Sequence, residues 1–439
     1  MVIKSVWTDT CKIREFGKLH GDTKTDVLII GGGLCGILCA YFLQQEGIDY
    51  VLVEKDRIAG GITGNTTAKI TSQHGLIYDR LMKAEGRENA AMYLEANQKA
   101  LEKYRELAVK VDCEFEEKQA GVYSCTDRKK IENEVRALGL LGFPAVFAES
   151  LPLPFDIEGA VLFPGQAQFH PLKFIAGIAD KLNIFEHTFV ERVEGNTAWT
   201  DRGKITADKI IVAAHFPFIN RHGCYFLKLY QQRAYVIALE NAPDVEGMYI
   251  DESADGYSFR NYQDLLFIGG GGHRTGRQGE KWQKLREFAH TAYPEASEIY
   301  HWAAQDCMSL DGIPYIGNYS KNTPNLYVAS GFNKWGMTSA MAAAGILCDL
   351  AADRDNEFAE VFSPSRSMLK PQLFINGLEA TGNLLYPSIN RCSHMGCALR
   401  WNEQEHTWDC PCHGSRFQED GTVIDNPALS SLSKGRGNE

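Results

Sequence analysis

Apolar positions in the first hundred residues change their period more than once. Asp26 to Ile30 reads Asp-Val-Leu-Ile-Ile, a short β-branched run of the kind that forms a buried parallel strand. It breaks at Gly31-Gly32-Gly33-Leu34-Cys35-Gly36. A helical pattern follows through Ile37, Leu38, Ala40, Tyr41 and Leu43 and stops at Gly47. A second apolar strand, Tyr50 to Val53, closes on Glu54. Glu85 to Val111 carries a long helical period through Ala90, Ala91, Tyr93, Leu94, Ala100, Leu101, Tyr104 and Leu107. Residues 226–305 instead alternate, as in Arg233-Ala-Tyr-Val-Ile-Ala-Leu and Tyr257-Ser-Phe-Arg, and so predict a sheet. No internal repeat or low-complexity run interrupts the chain, and the stretch after Ser430 is polar.

The succession of strand, glycine turn, helix, strand and acid has a chemical reading. Glycines let the backbone turn tightly and approach a pyrophosphate, which then rests on the helix N-terminus. Glu54 is spaced to accept hydrogen bonds from a ribose hydroxyl. The segment predicts a dinucleotide site. With 439 residues, roughly three domains of about 150 residues are expected. Lys plus Arg is 45 against 56 Asp plus Glu, a formal charge of −11, which argues against a nucleic-acid partner. No stretch reaches the length of a membrane span, and Met1 to Leu19 lacks the apolar core of a secretion signal, so a cytoplasmic location is expected.

Twelve cysteines change the picture. Cys11, Cys35, Cys39, Cys113, Cys125, Cys224, Cys307 and Cys348 are scattered, as buried thiols are, whereas Cys392, Cys397, Cys410 and Cys412 crowd together with histidines. Cys392-Ser-His394 is followed after fifteen residues by Cys410-Pro-Cys412-His413. Two cysteines and two histidines suit tetrahedral zinc or a [2Fe–2S] cluster held by mixed ligands. Cys397 and Cys412, one more cysteine on each loop, and Gly414-Ser415, with a hydroxyl close to the last ligand, favour the cluster.

At this point two resemblances become specific. Asp56 to Thr71, with its Gly/Thr-rich turn, resembles the second flavin signature of the glycine oxidase and D-amino-acid oxidase-like flavoproteins. Thr66-Thr67-Ala68-Lys69 and Gln73-His74-Gly75 resemble a bacterial subgroup of that family that ends in a Rieske domain. Ile205 to Pro217, Asp311 to Gly317 and Leu326 to Thr338 resemble the segments that return the chain to the flavin domain and close over the isoalloxazine. Cys392 through Pro427 resembles the Rieske family. The resemblance implies an α/β fold. Its parts would be a Rossmann-like FAD-binding domain (22–80, 155–225, 306–360), an interleaved α+β substrate domain (81–154, 226–305) and a small all-β Rieske domain (366–439). Only about 25 residues separate Arg366 from Cys392, so the base of that last domain is shortened.

The same resemblance implies site residues. FAD would be held by Gly31, Gly33, Gly36, Glu54, Lys55, Gly61, Thr63, Thr66, Thr67, Ala68, Val190, Ala214, Gly331, Trp335, Gly336, Met337 and Thr338. Cys392 and Cys410 would bind one iron, His394 and His413 the other, with Cys397 and Cys412 in a disulfide. Substrate-side candidates are Arg233, Tyr235, Tyr257, Arg260, His74, His215, His273 and Trp335. Arg260 leads as a carboxylate anchor, because guanidinium pairs bidentately, and His74 and His215 are the other catalytic candidates. The expected activity is oxidation of a small amine or amino acid, with hydride passing to FAD and electrons leaving singly through the [2Fe–2S] cluster to an external acceptor. The alternatives are a reductase running in reverse and a non-catalytic redox sensor or electron carrier. A mononuclear-iron oxygenase is disfavoured, since no two-histidine-one-carboxylate spacing is found.

Overall fold

A computed structural model describes residues 3–279 and 281–432. The β-branched run becomes the strand Thr23–Ile30, the centre of a mostly parallel sheet. It pairs in parallel with Tyr50–Val53 on one side and Gly203–Val212 on the other. Gly203–Val212 pairs with Leu326–Ser330, and Tyr50–Val53 with Ile184–Phe185, both in parallel. Tyr315–Asn318 runs antiparallel along the outer edge. The buried helix Leu34–Gln45 returns the chain from the first strand to the second, and the helix Gly336–Ala351 packs beside it. Every residue of Tyr50–Val53 and Leu326–Ser330 is buried, which is why these segments read as unbroken apolar runs.

A second sheet is mixed. Its order is Ser297–Met308, Tyr230–Glu240, Leu265–Arg274, Ser258–Tyr262, Met248–Asp251, Glu116–Ser124, Gly159–Gln168 and Lys69–Ile70. The alternating stretches of 226–305 are thus strands of one sheet. The segment 155–225 serves both sheets, because it also supplies Gly159–Gln168. The long helical period is realised as Tyr78–Ala108, kinked at Gly86, where φ is 86°.

The C-terminal strands Arg400–Asn402, Thr407–Asp409, Arg416–Gln418 and Val423–Asp425 form a small antiparallel sheet. One helix, Pro371–Leu385, precedes it, in a stretch whose apolar pattern predicts no element. The helix is turned opposite to the usual sense. Asn376 and Asn383 are its buried residues, while Phe374, Leu378 and Leu385 are exposed. Among the described residues no helix is long and apolar enough to cross a membrane.

Candidate active site and cluster loops

One cavity of about 1080 Å³ runs from the glycine turn to the mixed sheet. At its first end the wall is Gly31, Gly33, Leu34 and Cys35. The helix starts there, so first-turn N–H groups with no partner inside the helix and the positive helix end favour an anion. A Cβ on Gly31 would sit 2.6 Å from the Ala213 carbonyl oxygen, and one on Gly36 only 1.9 Å from the Gly31 carbonyl oxygen. The cradle therefore accepts glycine alone. Glu54 lines the cavity and takes N–H bonds from Gly32 (2.7 Å) and Asp56 (3.0 Å), which fixes its carboxylate. Thr63 Oγ1 accepts from the N–H of Leu34 at 3.1 Å.

Most residues expected to hold a dinucleotide share this wall: Lys55, Gly61, Thr66, Thr67, Val190, Ala214, Gly331, Trp335, Gly336 and Met337 join those above. Gly36, Ala68 and Thr338 do not border it; Gly36 acts through close packing of the turn. These residues come from five separate stretches of chain, gathered where the parallel strands end. That arrangement fits a dinucleotide.

The substrate end differs from expectation. Arg260 is fully buried but off the cavity wall. Its guanidinium faces Trp7, Tyr262 and Phe267 and donates to the Thr67 carbonyl, which leaves Nη2 without a partner. His74 is also off the wall. Its Nδ1 meets the Tyr93 hydroxyl at 2.6 Å, and its Nε2 meets Thr71 O and Thr338 Oγ1 at 2.9 and 3.0 Å. Both ring nitrogens are hydrogen-bonded, and burial pushes its pKa down to about 3, which keeps the ring neutral. Arg233 faces the C-terminal domain, where Glu405 takes its charge. Tyr235 hydrogen-bonds Glu405 as well as His273, at 3.1 Å each.

His215, Tyr235, Tyr257 and Trp335 do reach the cavity, joined by charged residues outside the expected set, among them Lys69, Lys334 and Asp306. Burial, aided by the neighbouring Arg260, lowers the Lys69 pKa to about 7. Burial also lowers that of Lys334, against the pull of Asp306 and Asp255. Burial raises Asp306 and lowers His215. The signal for the lysines lay inside the quoted motifs, Thr-Thr-Ala-Lys69 and Gly-Phe-Asn-Lys334, but nothing local says which side chains open into a cavity.

The cysteine-rich loops have matching turns. Gly396 N–H bonds Cys392 O and Gly414 N–H bonds Cys410 O, each at 2.9 Å, with φ of 77° and 86° at the two glycines. A left-handed residue is needed at each, which glycine supplies at no steric cost. Cys397 and Cys412 form a disulfide. The sulfurs of Cys397, Cys410 and Cys412 lie within 4.8 Å of one another, yet two of them are consumed by that bond, which leaves Cys392 and Cys410 as the free, buried thiols of the two loops. The Cys392 thiol is drawn down to about 7, chiefly by its hydrogen bond with Cys410.

The imidazoles of His394 and His413 stand 4.9 Å apart. Each has a buried Nδ1 without a hydrogen-bond partner. An orphaned buried nitrogen costs about 1–3 kcal/mol, and two of them beside two thiols fit metal ligation. Burial keeps both rings neutral, with pKa values of about 4 and 3, and neutral imidazole is the ligating form.

Comparison with known proteins agrees with both halves. The model of the FAD dependent oxidoreductase family (DAO) matches residues 26–350, and that of the Rieske [2Fe-2S] domain matches residues 366–435. The chain is 34% identical to YhfW of Bacillus subtilis (strain 168), whose name carries a Rieske 2Fe-2S iron-sulfur assignment, over 98% of this chain and 97% of that one. It is 23% identical to gamma-glutamylputrescine oxidoreductase of Escherichia coli (strain K12) over 80% of this chain and 89% of that one. The fold resembles glycine oxidase from Geobacillus kaustophilus, with TM-score 0.67 and 17% identity over 79% of this chain and 99% of that one. The Rieske match decides against zinc at the cysteine–histidine loops. The chain belongs to the DAO family of FAD-dependent oxidoreductases and ends in a Rieske domain, so FAD and a [2Fe–2S] cluster are its cofactors.

Proposed function

We propose that the protein oxidises a small amine or amino acid and delivers the electrons through its cluster to an external acceptor. The observation that carries this reading is the continuity of the cavity. Its wall passes from the glycine turn, past the charged residues of the mixed sheet, to Val423, Ile424, Asp425 and Asn426 of the Rieske domain. When bound, FAD supplies a two-electron acceptor for a hydride and the cluster a one-electron carrier.

Gly31, Gly33, Thr63 and the first turn of Leu34–Gln45 would hold the pyrophosphate, and Glu54 would take the ribose. Cys392, His394, Cys410 and His413 ligate the cluster. Of the cations on the cavity wall, Lys334 and Lys69 lie away from the glycine cradle and are available to a substrate carboxylate, the part expected of Arg260. His215, kept neutral by burial, and Asp306 are placed to take the proton that a protonated amine sheds. The aromatic rings of Tyr235, Tyr257 and Trp335 exclude water from that end.

The test is anaerobic addition of a panel of amines and amino acids to the holoprotein, with flavin absorbance and cluster EPR read together. Bleaching of the flavin followed by a cluster signal is expected. No bleaching with any member would sink the amine-oxidation reading, and bleaching without a cluster signal would sink the relay.

A further inference from the structure

The histidine edge of the cluster loops points inward. His394 Nε2 lies 3.2 Å from Asn220 Oδ1, and His413 hydrogen-bonds the backbone of Phe226. The ring of Phe216 packs against both imidazoles, at 6.5 and 6.3 Å between centroids.

The second loop is held more firmly still. Four consecutive carbonyls of that loop are each taken by a side chain of the flavoprotein body. Arg274 donates to Pro411 O and Cys412 O at 2.9 Å, Gln231 Nε2 to His413 O at 2.8 Å, and Gln305 Nε2 to Gly414 O at 2.8 Å. All three donors lie in adjacent strands of the mixed sheet and are buried. Withdrawing the loop would leave these groups unpaired, at about 1–3 kcal/mol each.

Gln231 does one thing more. Its Oε1 lies 3.1 Å from His215 Nε2 and accepts from Gln305 at 2.8 Å, while its Nε2 also reaches Asn426 O at 3.0 Å. His215 and Asn426 both line the cavity. A single side chain therefore joins the cavity wall to the backbone of a cluster ligand.

We propose that the cluster is a fixed neighbour of the flavin rather than a swinging carrier, and that Gln231 is the positioning residue that holds the two in register for electron passage. In that passage one electron leaves the reduced flavin and one is gained by the oxidised cluster, with no bond made or broken. The inference rests on the relay reading above.

Gln231→Met keeps the side-chain length and volume and deletes the polar amide. Gln305→Met is the milder companion. The anaerobic holoprotein is photoreduced with EDTA under light absorbed by its own flavin, with no added mediator, freeze-quenched, and read by EPR; deuterium uptake in 410–416 is read by mass spectrometry. In Q231M, FAD content, iron content and flavin photoreduction should match wild type. Cluster reduction should slow about tenfold or more, and uptake in 410–416 should quicken. Q305M should move both readouts the same way by less. If wild type passes electrons and both variants equal it, this inference alone falls. If wild type leaves its cluster oxidised beside reduced flavin, the relay reading falls and takes this inference with it.

Discussion

A methyl group on Gly36 would press within 1.9 Å of the Gly31 carbonyl oxygen, against backbone that cannot move aside. Gly36→Ala should therefore lose bound FAD and cost about 2–4 kcal/mol of stability, read from flavin absorbance and a thermal melt. Lys334→Met should act differently. It removes a cavity cation but no cradle, so KM for a carboxylate-bearing substrate should rise about tenfold, equivalent to ~1.4 kcal/mol, with kcat moved less. Steady-state kinetics under anaerobic conditions separates the two. The glycines were legible in the sequence because their constraint is local: a turn, a close approach, a helix start. Lys334 and Lys69 are not, and Arg260 and His74, expected at the site, lie off the cavity wall. Whether a long polar side chain opens into a cavity or a neighbouring core depends on strands far away in the chain.

At the scale of elements, the hairpin of Arg400–Asn402 and Thr407–Asp409 carries Glu405 in its turn against the strand Tyr230–Glu240. Arg233 and Glu405, with side chains 5% and 9% exposed, make a buried ion pair between body and Rieske domain, and Arg416 joins from behind at 2.7 Å. Burial alone would raise the Glu405 pKa, but the two arginines hold it at about 2, below its usual 4.5. A depressed carboxylate stabilises the folded form above its unfolded pKa and ceases to do so as pH falls through the folded one. The folded state should thus lose stability between about pH 4.5 and pH 2, by an amount on the order of 3 kcal/mol shared between the Arg233 contact across the domains and the Arg416 contact within the Rieske domain. Glu405→Gln should flatten that dependence and, by stranding Arg233, cost about 3 kcal/mol at neutral pH. Urea midpoints measured against pH check both outcomes. The ligand loops were readable because their spacing is short. The docking was not, because Arg233 looks like a substrate anchor until its partner, some 170 residues onward, is in view.

For the whole molecule, the strand–turn–helix and the alternating sheet could be read from periodicity, and the discontinuous assembly from resemblance. The helix Pro371–Leu385 escaped because its buried positions are asparagines and its apolar ones face outward, the reverse of an ordinary surface helix. Asn376 accepts from Arg274 and donates to the Leu227 carbonyl, so this helix leans on the body through polar contacts. Residues 366–439 expressed alone should neither fold cooperatively nor retain iron, as circular dichroism and iron analysis would reveal.

Val423 to Asn426, Ala428 and Leu429 are made long after the first βαβ turn, yet they wall the cavity that this turn opens. This sets an order of maturation. A nascent chain can form the glycine cradle and admit the dinucleotide while that side still stands open. Once the C-terminal domain seats, the entrance narrows and cofactor exchange becomes slow. Apoprotein ending at residue 365 should take up FAD faster than the full-length apoprotein and release it faster too. A fluorescence-quenching time course would expose equal rates, and with them a cofactor that enters after assembly is complete.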